Sequence, residues 1–255
     1  MQKRVQQGFT LLEMSVVITI IGLIIGGILF GRSMLTNSRL QTVITDYDSY
    51  VSAVGNFKQA YQALPGDMAN ATSMWGTDSL GCPSGGGKSG TCNGNGDGMV
   101  NTSGTVEVFR FWQHLYYAKM LNQKMSGVAT SGTLTGTIGV NEPTGSIEGS
   151  GWAAGYVGNI GNGDPNNYAG YYGNVLVFGS AYPNYGTSGA ILTADQAASI
   201  DSKLDDGKPG TGKVRSLIYG STITPNCGTS IDPVAAVYNV SSTAVNCSLI
   251  FILGY

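Results

Sequence analysis

Charge is scarce in this chain of 255 residues: Asp, Glu, Lys and Arg together make up 11% of it, and none of them lies between Met14 and Gly31. There is one histidine, His114, so any Ser/His/Asp site would hang wholly on it, and no nucleophile-elbow sequence accompanies it. It sits between Trp112 and Tyr116, where a packed or surface histidine is the plainer reading. The glycines from Gly81 to Gly98 are not followed by Gly-Lys-Ser/Thr, which excludes a phosphate loop. The acidic residues carry no glycosidase signature, because carboxylate separation cannot be read from a sequence. No Cys-x-x-Cys pair occurs, which disfavours zinc. From Pro65 onward eight Lys and Arg face twelve Asp and Glu, a net of −4, so no nucleic-acid partner is expected. The sequence reads as a non-enzyme with no required cofactor.

What the chain does have is a membrane-length apolar run with one acid at its mouth. Lys3 and Arg4 precede Gly8-Phe9-Thr10-Leu11-Leu12-Glu13, and the eighteen uncharged residues from Met14 to Gly31 follow. That run is long enough to span a bilayer, and the basic residues ahead of it keep the amino end cytoplasmic. A charged side chain at bilayer depth costs roughly 2.5 to 3.5 kcal/mol. Glu13 therefore calls for a cation that its own span does not contain. A secretory signal has its small-residue cleavage site after the apolar core, whereas Gly8 comes before it. Cutting after Gly8 would retain the helix and create an α-amine on Phe9, one turn from Glu13, with which a neighbouring copy's Glu13 could pair.

Gly8 to Glu13 behind a short basic leader resembles the type III signal of type IV pilins and type II secretion pseudopilins. The resemblance covers residues 1 to about 35. It implies cleavage after Gly8 by an inner-membrane prepilin peptidase, N-methylation of Phe9, and use of Glu13 to steer the subunit into a helical filament. It also implies an inner-membrane assembly platform and other pilin-like subunits as partners. The precursor would lie in the bacterial inner membrane, and the assembled filament would be extracellular or periplasmic. Many major pilins of this type carry a proline eight residues after the position of Gly22; Phe30 stands there in this chain.

Beyond the span, Leu40, Val43, Ile44, Tyr47, Val51, Val54, Phe57, Tyr61 and Leu64 recur every three or four residues, which predicts an amphipathic helix ended by Pro65-Gly66. From Phe9 to Leu64 such a helix would be roughly 84 Å long at about 1.5 Å per residue. Gly22, Gly26, Gly27 and Gly31 form two Gly-x-x-x-Gly pairs that permit close helix approach. The expected organisation is a leader over 1–8, a helix over 9–64 (9–31 transmembrane, 32–64 amphipathic), and an extracytoplasmic head over 65–255 with a Gly/Ser/Asn-rich loop at 76–104. In the head, Glu107 to Asn122 reads as a helix presenting Phe111, Trp112, Leu115 and Leu121 to the core, and Thr193-Ala-Asp-Gln196 is a capping box for a helix ending near Leu204. Strands are expected at 134–140, 175–179, 214–219, 234–240 and 248–253. The fold class is α+β, a long helical spine packed against an antiparallel sheet.

Cys82, Cys92, Cys227 and Cys247 all lie beyond the span, so disulfides are expected; of the three possible connectivities, 82–92 with 227–247 is favoured because it closes short loops at low entropic cost. Asn93, Asn95, Asp97, Met99 and Asn101 place oxygen donors at alternate positions as the first half of a calcium loop does, although Gly104 stands where its closing glutamate belongs. Calcium is the one metal the sequence suggests; a solvated Asn/Gly turn uses the same letters. Asp201, Asp205 and Asp206 before Gly207 oppose the helix dipole, which a bound cation or Lys203, Lys208 and Lys213 would relieve; a helix stop explains the same letters and is the favoured reading. Tyr168, Tyr171, Tyr172, Tyr182 and Tyr185 suit loop packing or a contact surface. Two functions fit: a filament subunit, or a single-pass anchored binding module that does not polymerise. Glu13 separates them, since a solitary anchor gains nothing from an unpaired intramembrane carboxylate.

Overall fold

The computed structural model describes residues 10–82, 89–101, 107–129, 135–164, 166–182, 186–217 and 227–255. Its first element, α1 (Leu11–Tyr61), runs unbroken for 51 residues, about 77 Å at about 1.5 Å per residue. Thr10 starts it with a capping box: its hydroxyl accepts from the Glu13 amide, and the Glu13 carboxylate accepts from the Thr10 amide. The helix stops earlier than the sequence predicts, at Tyr61 instead of Leu64. Gln62 takes the left-handed conformation (φ 54°) and its N–H returns to the Lys58 carbonyl, so the chain has turned before Pro65 restricts it.

The two halves of α1 differ in what they touch. Every large apolar side chain from Leu11 to Leu35 is at least 49% exposed, whereas Leu40, Val43, Ile44, Tyr50, Ala53, Val54 and Phe57 are buried. Tyr50 and Ala53 thus stand in the stripe where the sequence places Val51, which is only half-buried.

After α2 (Ala71–Trp75) and α3 (Glu107–Tyr117) come β1 (Ser150–Ile160), β2 (Gly170–Ala181), β3 (Thr187–Gly189), β4 (Leu192–Thr193), α4 (Ala194–Leu204), β5 (Val214–Ser216), β6 (Val245–Cys247) and β7 (Leu249–Ile252). The main sheet is antiparallel in the order β1-β2-β7-β5, with β3 on the far end of β2; β4 and β6 pair separately. Alternation sends Trp152, Ala154, Leu176, Phe178, Leu249 and Phe251 into one core with the second half of α1. Tyr47 stacks on Phe251 at 4.7 Å, and Tyr50 meets Trp112 and Trp152 edge-on at 5.1 and 5.5 Å. The class is α+β, the long helix lying against an antiparallel sheet.

Several expected elements are corrected. Residues 135–140 make a tight turn in which the Thr137 carbonyl receives the amides of Val140 and Asn141, with one bridge from Ile138 to Glu142; residue 134 lies outside the described part. Residues 234–240 are also a turn, seated on the Asp232 carboxylate and joined to Gly228 through Tyr238. Their β-branched residues face solvent: Val234 is 74% exposed. α3 ends at Tyr117, five residues before Asn122, because Lys119 adopts φ 61°. The longest strand pair, β1 with β2, includes a stretch no strand was predicted for, Ser150–Ile160. Of 214–219, Val214–Ser216 form β5, Leu217 follows it, and 218–219 lie outside the described residues.

Candidate functional site

The bare half of α1 is the most unusual surface of the molecule. Its best 18-residue window has a mean hydropathy of 2.5, with no residue of it buried. A Cβ built on Gly22, Gly26, Gly27 or Gly31 meets nothing within 4 Å, so the chain's own fold gives these glycines no packing task. Glu13 stands at the amino end. Its Oε2 accepts from the Thr10 amide and hydroxyl, each at 2.8 Å. The single chain therefore supplies donors to one carboxylate oxygen, and the positive end of the helix adds a favourable field, but neither cancels a full charge. Gly8 and Phe9, where processing is expected, lie outside the described residues.

The segment over 93–101 is folded around carboxylates. Asp67 is buried, and its Oδ1 accepts from the amides of Gly96 and Asp97 while its Oδ2 accepts from Gly98. Burial holds the Asp67 carboxyl above the usual carboxylate range, with the three amides opposing and Asp97 adding to it. Glu107, fully buried at the start of α3, accepts from the amides of Asn95 and Asn101. Asp67, Asp97 and Glu107 thereby offer carboxylate oxygens within 4.8 Å of one another. Of the predicted loop residues, Asn93 turns away to accept from the Thr72 amide on α2. Asn95 and Asn101 donate to Asp97, and Asp97 accepts from the Met99 amide. Glu107 is the nearest acid beyond Gly104, three residues past the place of the closing glutamate; Asp67 was not foreseen here, because it lies outside the loop's spacing.

The other candidates are structural. Cys82–Cys92 and Cys227–Cys247 are disulfide-bonded, each closing its own short loop. His114 is fully buried against Phe57 and Trp75; the Gly66 amide donates to Nδ1 at 2.9 Å, which leaves Nε2–H to donate to Thr91 Oγ1 at 3.0 Å. Burial, helped by the Arg110 charge, pushes it down to about 3, so it is neutral. Gly66 is required where it stands, because φ is +83° and a Cβ would sit 2.5 Å from the Glu107 carbonyl oxygen. Asp201 is a buried anchor as well as a helix stop. It accepts from Tyr238 Oη at 2.8 Å and from the Gly207 amide, and burial pushes it up to about 7. Asp205 and Asp206 accept backbone amides at Val214 and Lys208. Tyr168 and Tyr172 are core residues, Tyr171 is exposed, and Tyr185 lies outside the described residues.

The bare apolar helix and its acid-bearing mouth coincide with a known signature. Residues 3–29 match the family model of the prokaryotic N-terminal methylation motif. The chain carries a pilin-type methylation motif. This motif is the signature of type IV pilins and pseudopilins, and together with the apolar helix it fits a membrane-anchored precursor. No curated protein and no solved structure gives a significant match.

Proposed function

We infer that the chain is a structural subunit of a type IV pilus-like or type II secretion pseudopilus filament. It is processed after Gly8, held in the inner membrane by the first half of α1, and then drawn into a bundle of such helices. The observation that carries this reading is the bare first half of a continuous 51-residue helix, most of it lying within the methylation motif. In a monomer that half is covered only by lipid. In a bundle it is covered by neighbours, and the four unoccupied glycines let backbones approach where packing drives association. Mass spectrometry of the mature chain should find methylated Phe9 at the amino terminus; an intact Met1 in cells with active prepilin peptidase overturns the processing step.

The same reading carries calcium at the loop over 93–101, with Asp67 and Glu107 joining Asp97 in place of the missing closing glutamate. A hard oxygen cluster of this kind suits calcium, and carboxylate oxygens that accept an amide keep a second lone pair. Calcium at about 100 times its Kd should stabilise the full chain by roughly 2.7 kcal/mol, visible as a rise in Tm. Asp97→Asn should remove most of the rise. An unchanged wild-type Tm at millimolar calcium leaves the carboxylates as loop anchors alone.

A further inference from the structure

The sheet face turned away from α1 carries a cleft of about 290 Å3 that the filament reading does not use and that Asn101 of the calcium loop also lines. Its walls are mostly apolar, with Val108 and Phe109 from α3, Ala153 and Val157 from β1, and Val175 and Val177 from β2; Asn101 and Ser188 add polar groups. One end holds the carboxylate of Glu142, which is 2% exposed.

The two oxygens of Glu142 are not equivalent. Oε2 accepts from both the amide and the hydroxyl of Thr187 on β3. Oε1 receives no donor among the described residues. It points to the cleft: a Cβ on Gly186 would lie 2.7 Å from Oε1 and 3.1 Å from the Ala153 Cβ, and both Gly186 and Ala153 line the cavity. Gly136 also abuts the carboxyl, since a Cβ there would collide with both oxygens. No basic side chain among the described residues lies within ion-pair distance; the one ion pair among them joins Arg110 to Asp78.

We propose that this cleft binds an aliphatic primary ammonium, with the cation on Glu142 Oε1 and the alkyl stem along Ala153, Val175 and Val177. A buried carboxylate that lacks a cation is costly and a bound one relieves it, while the apolar walls favour a hydrocarbon stem over a hydrated ion. The engaged Oε2 selects the cation's shape. A guanidinium is recognised through two parallel bonds to both carboxylate oxygens, whereas an ammonium is a point charge that needs only one. The volume, at the low end for ligand pockets, has room for a short alkyl stem.

The test is titration calorimetry of the full chain in a nonionic detergent, using n-butylammonium, with n-butanol as a control of the same stem. Wild type should bind n-butylammonium saturably with a Kd on the order of 1 mM, and n-butanol about tenfold more weakly or worse. Glu142→Gln should weaken butylammonium binding about tenfold or more. Val177→Phe fills the stem channel while leaving residue 142 unchanged and should also weaken it, which keeps the test decisive if Glu142→Gln does not fold. Equal affinity for the amine and the alcohol, an unaltered Kd in either folded variant, or no saturable heat from wild type overturns the proposal.

Discussion

Glu13→Gln should insert into the membrane as wild type does, keep its helix start, and yet fail to enter filaments. The informative substitution is glutamine and not only valine, because of what the capping box shows. Glu13 does two things: its Oε2 accepts from Thr10 to cap α1, and it places a negative charge at the mouth of the apolar run. Glutamine at this position of a capping box also accepts from the cap amide, so Glu13→Gln retains the first role and removes the second. Glu13→Val removes both and should cost about 1 kcal/mol more in helix start. If a neighbouring copy's Phe9 amine compensates the charge, losing about 2 to 3 kcal/mol of pairing lowers incorporation roughly 30- to 150-fold in either variant. The measurement is the ratio of variant to wild-type subunit in sheared filaments from cells expressing both, normalised to the membrane pool. Wild-type incorporation of Glu13→Gln with failure of Glu13→Val would assign Glu13 to helix capping and end the pairing argument.

That pair of roles also shows what a sequence can and cannot disclose. The box Thr193 to Gln196 is readable because nothing else competes for those letters, and the structure places α4 behind it. The box Thr10 to Glu13 has the same form, but the acid ahead of an apolar run draws the membrane reading first. Periodicity finds the second half of α1 because seven buried residues lie on one face, and it misplaces only Val51, whose neighbours Tyr50 and Ala53 enter the core, Tyr50 against Trp152 of β1. It misses β1 because Gly151, Ala153, Ala154, Gly155 and Gly158 give that strand little intrinsic preference; it is a strand because β2 pairs along nearly its whole length. It overcalls 234–240, whose valines satisfy β-propensity but belong to a turn seated on Asp232. The carboxylates that organise the head are hidden for a different reason. Asp67 meets amides 29 to 31 residues away and Glu142 meets Thr187 45 residues away, and no local spacing records such contacts.

The buried ion pair beneath the first disulfide carries the largest expected stability effect. Arg110 on α3 is fully buried, and its Nη2 lies 3.0 Å from Oδ2 of Asp78, itself 4% exposed. The guanidinium also donates to Gln113 Oε1 at 2.8 Å and approaches Cys92 Sγ at 3.2 Å, but both partners are neutral and cannot balance its charge. Burial pulls the Arg110 pKa down while Asp78 holds it up, so the cation is kept in the core by its carboxylate partner. Asp78→Ala strands that cation and should destabilise the head by about 3 to 5 kcal/mol. Asp78→Ala with Arg110→Met removes both charges and fills much of the arginine's volume with an apolar stem. It should recover most of the loss, giving a coupling of about 2 to 3 kcal/mol. Denaturant unfolding of the full chain in detergent, followed by the fluorescence of buried Trp112 and Trp152, measures all four corners of the cycle. A single-variant loss under about 1 kcal/mol would mean that water or a rearranged Gln113 solvates the guanidinium once Asp78 is gone. The contacts of Gln113 with the Gly90 and Ser126 carbonyls and with Thr91 would then hold α3 to the disulfide-closed segment without the ion pair.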